Sequence, residues 1–113
     1  MSRSILLVDD DPGVLGLRTR FFDKRGWAVS KAVTGAGALE QYDRERTGLV
    51  LLDLDLPDTS GIPVLQRLRE RDPDITVVML TGHGDIESAV EAMRFGAENF
   101  LAKPVELDHL GAV

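Results

Sequence analysis

Ile5-Leu6-Leu7-Val8-Asp9-Asp10-Asp11-Pro12 sets four apolar residues against three carboxylates and then a residue suited to the first turn of a helix. An unbroken apolar run of this length reads as a parallel strand covered on both faces. Asp11 is placed to cap the following helix, and Pro12 to open it. The same device recurs along the chain. Leu49-Val50-Leu51-Leu52 ends in Asp53, Val77-Val78-Met79-Leu80 ends in Thr81, and Phe100-Leu101-Ala102 ends in Lys103-Pro104.

Helix-period segments separate these runs. The first, from Asp11 and Pro12 to about Gly26, sets Val14, Leu17 and Phe21 on one face. The second covers about Ala36 to Glu45, with Leu39 and Tyr42 inward, and the third starts near Ser60 and buries Ile62, Leu65 and Leu68. The fourth is capped by Asp85, carries Ile86, Ala89, Val90 and Met93 at one-faced helical spacing, and ends at Gly96. Val105–Leu110 starts a fifth that the chain leaves short.

Alternating strands and helices predict an α/β fold with a doubly wound, five-stranded parallel sheet. Ile5–Val8, Leu49–Leu52 and Ile75–Leu80 read as central strands, whereas the part-polar Ala28–Ala32 and the short Asn99–Ala102 read as edges. With right-handed crossovers this gives the order 2-1-3-4-5 of a flavodoxin-like (βα)5 fold, here with a truncated last helix. Ligands in such sheets bind beyond the carboxyl ends of the strands, where the winding direction reverses. Asp9, Asp10 and Asp53 stand at that edge.

The bulk composition is that of one soluble domain spanning 1–113. Of 113 residues, 43% are hydrophobic and 28% charged, and the net charge of −6 argues against direct nucleic-acid binding. No cysteine is present, which excludes disulfides and thiolate metal sites and fits a cytoplasmic location. The sequence shows neither a signal peptide nor a stretch able to span a membrane.

Three gathered carboxylates require a cation. Two of them about 4 Å apart repel by about 4 kcal/mol at an effective dielectric of about 20. Hard oxygen donors without Cys or paired His point to Mg²⁺, with Mn²⁺ as the alternative. Asp53 is the candidate nucleophile, because an ionised carboxylate can take a phosphoryl group as an acyl phosphate. Mg²⁺ held by Asp10 and Asp53, with Lys103 opposite, would position and neutralise that group, and Thr81 could donate its hydroxyl to a phosphoryl oxygen. Pro57 and Gly61 turn the intervening loop close to the metal, and Pro104 fixes the backbone after Lys103. Taken singly, these residues have structural readings: Asp9 or Asp10 as caps, Lys103 as a solvated surface group, Phe100 as core. His83, in a turn after Gly82, has no evident metal partner, and His109 reads as a helix-surface residue. Recurrence at four strand ends in order is what favours a site.

These segments together resemble a response-regulator receiver domain of two-component signalling. The matching stretches are Ile5 to Asp11, Leu51-Leu52-Asp53-Leu54-Asp55-Leu56-Pro57 with Gly61, Met79-Leu80-Thr81-Gly82, and Lys103-Pro104. The resemblance implies that Asp53 is the phosphoacceptor, that Asp10 binds Mg²⁺ directly and Asp9 through water, and that the Asp55 main-chain carbonyl completes the metal ligands. It implies a sensor histidine kinase as donor, with the receiver catalysing its own phosphorylation and slow dephosphorylation. Thr81 and Phe100 would be the switch. Their movement would remodel the surface of the fourth helix, fifth strand and fifth helix for a partner or a homodimer. Phe100 lacks the hydroxyl of the tyrosine found here in many receivers, so no hydrogen bond would lock its rotated state. The Asp55 side chain, two residues after the nucleophile, is expected to alter the dephosphorylation rate.

The stretch from Thr81 to Val90 is similar to receivers of the nitrogen-regulator class, which often precede an ATPase module and a helix-turn-helix domain. The short last helix leads to the expectation that the chain is the N-terminal part of a longer regulator, and that likeness implies an effector domain, most simply a transcriptional one, beyond it. Two alternatives use the same residues. Asp53-Leu54-Asp55 imitates the Asp-x-Asp signature of haloacid-dehalogenase-type phosphatases, although that family begins its fold with this strand and Pro57 departs from its pattern. The other is a receiver-like interaction module that is never phosphorylated.

Overall fold

The computed structural model describes residues 3–82 and 86–103. Its elements are β1 (Ser4–Val8), α1 (Pro12–Asp23), β2 (Ala28–Ala32), α2 (Gly35–Glu45), β3 (Leu49–Asp53), α3 (Gly61–Arg71), β4 (Thr76–Thr81), α4 (Ile86–Arg94) and β5 (Asn99–Ala102). The strands form one parallel sheet in the order β2-β1-β3-β4-β5. The three apolar runs occupy the centre, as expected, and β2 and β5 the edges. His83, Asp85, Pro104 and the expected fifth helix with His109 lie outside the described residues.

Successive strand residues face opposite sides of the sheet, and the core divides accordingly. Leu6, Val8, Val50, Leu52, Val77 and Met79 pack against Tyr42, Leu65 and Leu68 of α2 and α3. Ile5, Leu7, Leu51, Val78 and Leu80 face α1 and meet Leu15, Phe22 and Trp27. Asp9 and Asp53 continue this second face past the strand ends.

The helix starts follow the sequence chemistry. Asp11 Oδ1 accepts from the N–H groups of Gly13 (2.9 Å) and Val14 (3.3 Å). Thr34 Oγ1 accepts from Gly37 N–H at 2.9 Å, and Ser60 Oγ from Ile62 N–H at 3.1 Å. These bonds satisfy backbone donors that have no partner inside the helix.

Two helix faces differ from expectation. α1 buries Leu15, Arg18 and Phe22 rather than Val14, Leu17 and Phe21, and Leu17 is 58% exposed. The inward stripe is shifted by one position because it contains a charged residue, Arg18, whose partner the local sequence does not reveal. In α4 the helix forms, but Ile86, Val90 and Met93 are exposed. What α4 buries is Ala92, whose small side chain joins the α2–α3 core.

Candidate functional site

Parallel register brings the strand ends together. Val8 pairs with Leu52 and Asp53 with Leu80, so Asp9, Asp53 and Thr81 emerge along one edge. Thr81 pairs with Ala102 across β4 and β5, and the Thr81 carbonyl accepts from Lys103 N–H at 2.7 Å. That bond fixes the backbone from which the Lys103 side chain reaches back across the edge.

Lys103 Nζ lies 2.9 Å from Asp53 Oδ2 and 3.0 Å from Asp9 Oδ2, bridging two buried carboxylates. Asp53 Oδ1 accepts from Asp55 N–H at 3.1 Å, and Asp9 Oδ1 accepts from Asp11 N–H at 3.0 Å. Asp10 stands exposed at the rim. One carboxylate oxygen from each of Asp9, Asp10 and Asp53 lies within 4.8 Å of the others, a spacing that could hold a metal ion. All the donors are hard oxygens, and the cluster carries more negative charge than Lys103 neutralises, so the residues fit a small divalent cation such as Mg²⁺.

Burial pushes the Asp53 carboxyl above the usual carboxylate range, against the opposing pull of Lys103 and the Asp55 N–H. For Lys103, burial acts to lower the ammonium. Its hydrogen bonds to Asp53 and Asp9, with their charges, win and hold it above the ordinary lysine value.

The loop after β3 is held at both ends. Leu56 N–H donates to the Thr59 carbonyl at 3.1 Å across Pro57 and Asp58, and Asp55 bridges Ser60. Gly61 lies beyond this turn, as the first residue of α3. A Cβ there would sit 2.5 Å from the Asp53 carbonyl oxygen and 2.9 Å from Met79 Cε, so α3 can approach the end of β3 only through glycine. Thr81 is fully buried at the end of β4. Strand alternation places it on the side of Val77 and Met79, the side on which half-buried Phe100 packs.

Arg18 was not among the sequence candidates. It is 6% exposed, and its Nη1 lies 3.2 Å from Asp9 Oδ2. A charged residue among apolar neighbours in a helix carries a sequence signal only when the face is known, and the buried face of α1 lies one position from its apolar spacing.

The sequence profile of the response regulator receiver domain matches residues 5–113. The chain belongs to the receiver family. It is 41% identical over 104 residues to the regulatory protein LuxO of Vibrio cholerae, covering 92% of this receiver but 23% of the LuxO chain. Sporulation initiation phosphotransferase F of Bacillus subtilis is 36% identical over 110 residues, covering 97% of this receiver and 89% of the relative. A response regulator protein from Burkholderia pseudomallei, solved with a phosphorylated aspartic acid, a calcium ion and citrate, superposes with a TM-score of 0.92 at 32% identity, over 98% of this receiver and 65% of that chain. The receiver is therefore a phosphoacceptor signalling switch of the response-regulator type. The family match and the element order put Asp53 at the end of the third strand, with Leu54 and Asp55 just beyond it, not after a first strand as the phosphatase alternative requires.

Proposed function

We propose that Asp53 accepts a phosphoryl group from a sensor histidine kinase, and that Asp9, Asp10, Lys103 and Thr81 serve that transfer. The observation that carries this reading is the Lys103 ammonium set between the buried carboxylates of Asp53 and Asp9. An Asp53 carboxylate oxygen attacks the phosphorus of a phosphohistidine. The new O–P bond forms as the P–N bond breaks, the electron pair leaves with the imidazole nitrogen, and the product is an aspartyl phosphate. Catalysis then rests on positioning and charge neutralisation.

Asp9, Asp10, Asp53 and the Asp55 main-chain carbonyl would hold Mg²⁺, or Mn²⁺ in its place. The metal supplies positive charge for the phosphoryl oxygens. Lys103 lies within reach of Asp53 and donates to a phosphoryl oxygen once the group is attached. Thr81 donates its hydroxyl from the neighbouring strand end, and Phe100 shifts on the face they share. The remodelled α4–β5 surface, with the segment after Lys103, then acts on an effector domain or a second copy of the chain. The same constellation hydrolyses the acyl phosphate slowly.

Stoichiometry tests this reading. With Mg²⁺ and acetyl phosphate, the chain is expected to take up one phosphoryl group and then stop, and Asp53→Asn to take up none. Sustained hydrolysis of a phosphomonoester would overturn it. Beryllofluoride with Mg²⁺ should change the Phe100 environment by NMR. A silent spectrum would instead favour an interaction module that is never phosphorylated.

A further inference from the structure

Among the described residues, Arg18 is the buried charge without a role in phosphoryl transfer. It sits on the inward stripe of α1 between Leu15 and Phe22, where packing alone favours an apolar side chain. The Asp9 carboxylate it meets is fully buried and already holds Lys103 on the same oxygen and Asp11 N–H on the other. Asp9 thus has two cationic partners, while the site as a whole sets three carboxylates against two fixed positive side chains. A second cation is not needed to satisfy the hydrogen-bonding capacity of Asp9, since a neutral N–H donor in place of the guanidinium would do so. What it changes is the field. A divalent ion entering the cluster meets one net negative charge rather than two, and a guanidinium keeps its charge throughout the working pH range.

We propose that Arg18 is a resident counter-ion that sets the metal affinity of the site, stabilising the metal-free pocket and weakening Mg²⁺ binding by competing for the field of Asp9. This rests on the reading of Asp9, Asp10 and Asp53 as metal ligands. Lys103 and Arg18 divide the work differently. Lys103 bridges Asp9 and Asp53 and is free to transfer its bond to a phosphoryl oxygen, whereas Arg18 contacts Asp9 alone among the site carboxylates and stays with it. The chain therefore demands a higher Mg²⁺ concentration before its acceptor site is assembled.

The test is isothermal titration calorimetry of the chain with Mg²⁺, paired with melting curves in EDTA and in saturating Mg²⁺. Arg18→Met removes the charge and keeps an unbranched apolar side chain. Arg18→Gln removes the charge but keeps an N–H donor for Asp9, and serves if the methionine variant does not fold. Both neutral variants are expected to bind Mg²⁺ about ten-fold more tightly, the scale of one unit charge removed from near a divalent ion in a well-solvated crevice. Arg18→Lys should stay close to wild type. Both neutral variants should lose more stability in EDTA than in Mg²⁺, whereas a residue serving only the core would lower both equally. Unchanged or weaker Mg²⁺ binding in the neutral variants overturns the proposal alone. A wild-type chain that binds no Mg²⁺ overturns the reading of the acidic cluster, and this proposal with it.

Discussion

Lys103 and Gly61 make opposite contributions to the acceptor site, one by charge and the other by the absence of a side chain. The ammonium of Lys103 contacts both Asp53 and Asp9, so its removal takes away charge stabilisation where the phosphoryl oxygens would lie. Lys103→Met is expected to slow phosphoryl uptake from acetyl phosphate by about 10²-fold, the usual loss when one preorganised electrostatic donor is deleted. Quench-flow incorporation measures this, and a rate within a factor of a few of wild type would contradict it. Gly61 is held by its N–H donating to the Leu54 carbonyl at 2.7 Å, against backbone a Cβ would overlap. Gly61→Ala is expected to cost about 1–3 kcal/mol in urea denaturation, as overpacking does, and to lower phosphoryl uptake by displacing Asp53. Of these residues, the sequence showed Lys103 and the three carboxylates plainly, because each stops an apolar run. Gly61 was legible as a loop residue, but its close approach to Asp53 exists only once α3 is docked. Arg18 was not legible at all, since its partner lies nine residues earlier on a strand end.

The loop between β3 and α3 is tied to a helix as well as to the site. Asp58 Oδ1 accepts from Gly35 N–H at 2.8 Å and Oδ2 from Ala36 N–H at 3.1 Å, so a carboxylate from the acceptor loop caps the start of α2. Those backbone bonds hold the Asp58 carboxyl below the usual carboxylate range. A depressed folded pKa means that the unfolded chain binds the proton more readily. The stabilisation is therefore complete above the ordinary aspartate pKa of about 3.9 and is lost as pH falls through the lower folded value. Asp58→Ala should lower the melting temperature at neutral pH, and its deficit should shrink on acidification. A deficit constant with pH would refute the capping role. The elements themselves were readable because apolar runs alternate with helical segments and because Asp11 and Ser60, at two expected helix starts, accept from first-turn N–H groups. The Thr34 cap of α2 was not legible. The apolar stripe of α4 misleads about burial because helical spacing reports a one-sided helix, not what covers that side. Ile86 is 82% exposed among the described residues, and Ala92 makes the core contact instead.

At the scale of the molecule, two apolar layers on a five-stranded sheet hold one polar edge in register. Apolar content separated the three central strands from the two edges, and right-handed crossovers then gave the order. What the sheet achieves is to concentrate acidic side chains in a small space, at a cost in repulsion that Arg18 and Lys103 only partly offset. Mg²⁺ should therefore stabilise the folded chain, by about 2.7 kcal/mol at a concentration one hundred times its dissociation constant. A melting temperature indifferent to Mg²⁺ and EDTA would count against a metal at the cluster. The most direct test of the whole account is to locate the phosphoryl group. After reaction with acetyl phosphate and Mg²⁺, hydroxylamine converts an aspartyl phosphate to a hydroxamate that peptide mass spectrometry can assign. The account predicts the hydroxamate at Asp53 and nowhere else, and a hydroxamate at Asp10 or Asp55 with Asp53 unmodified would contradict it.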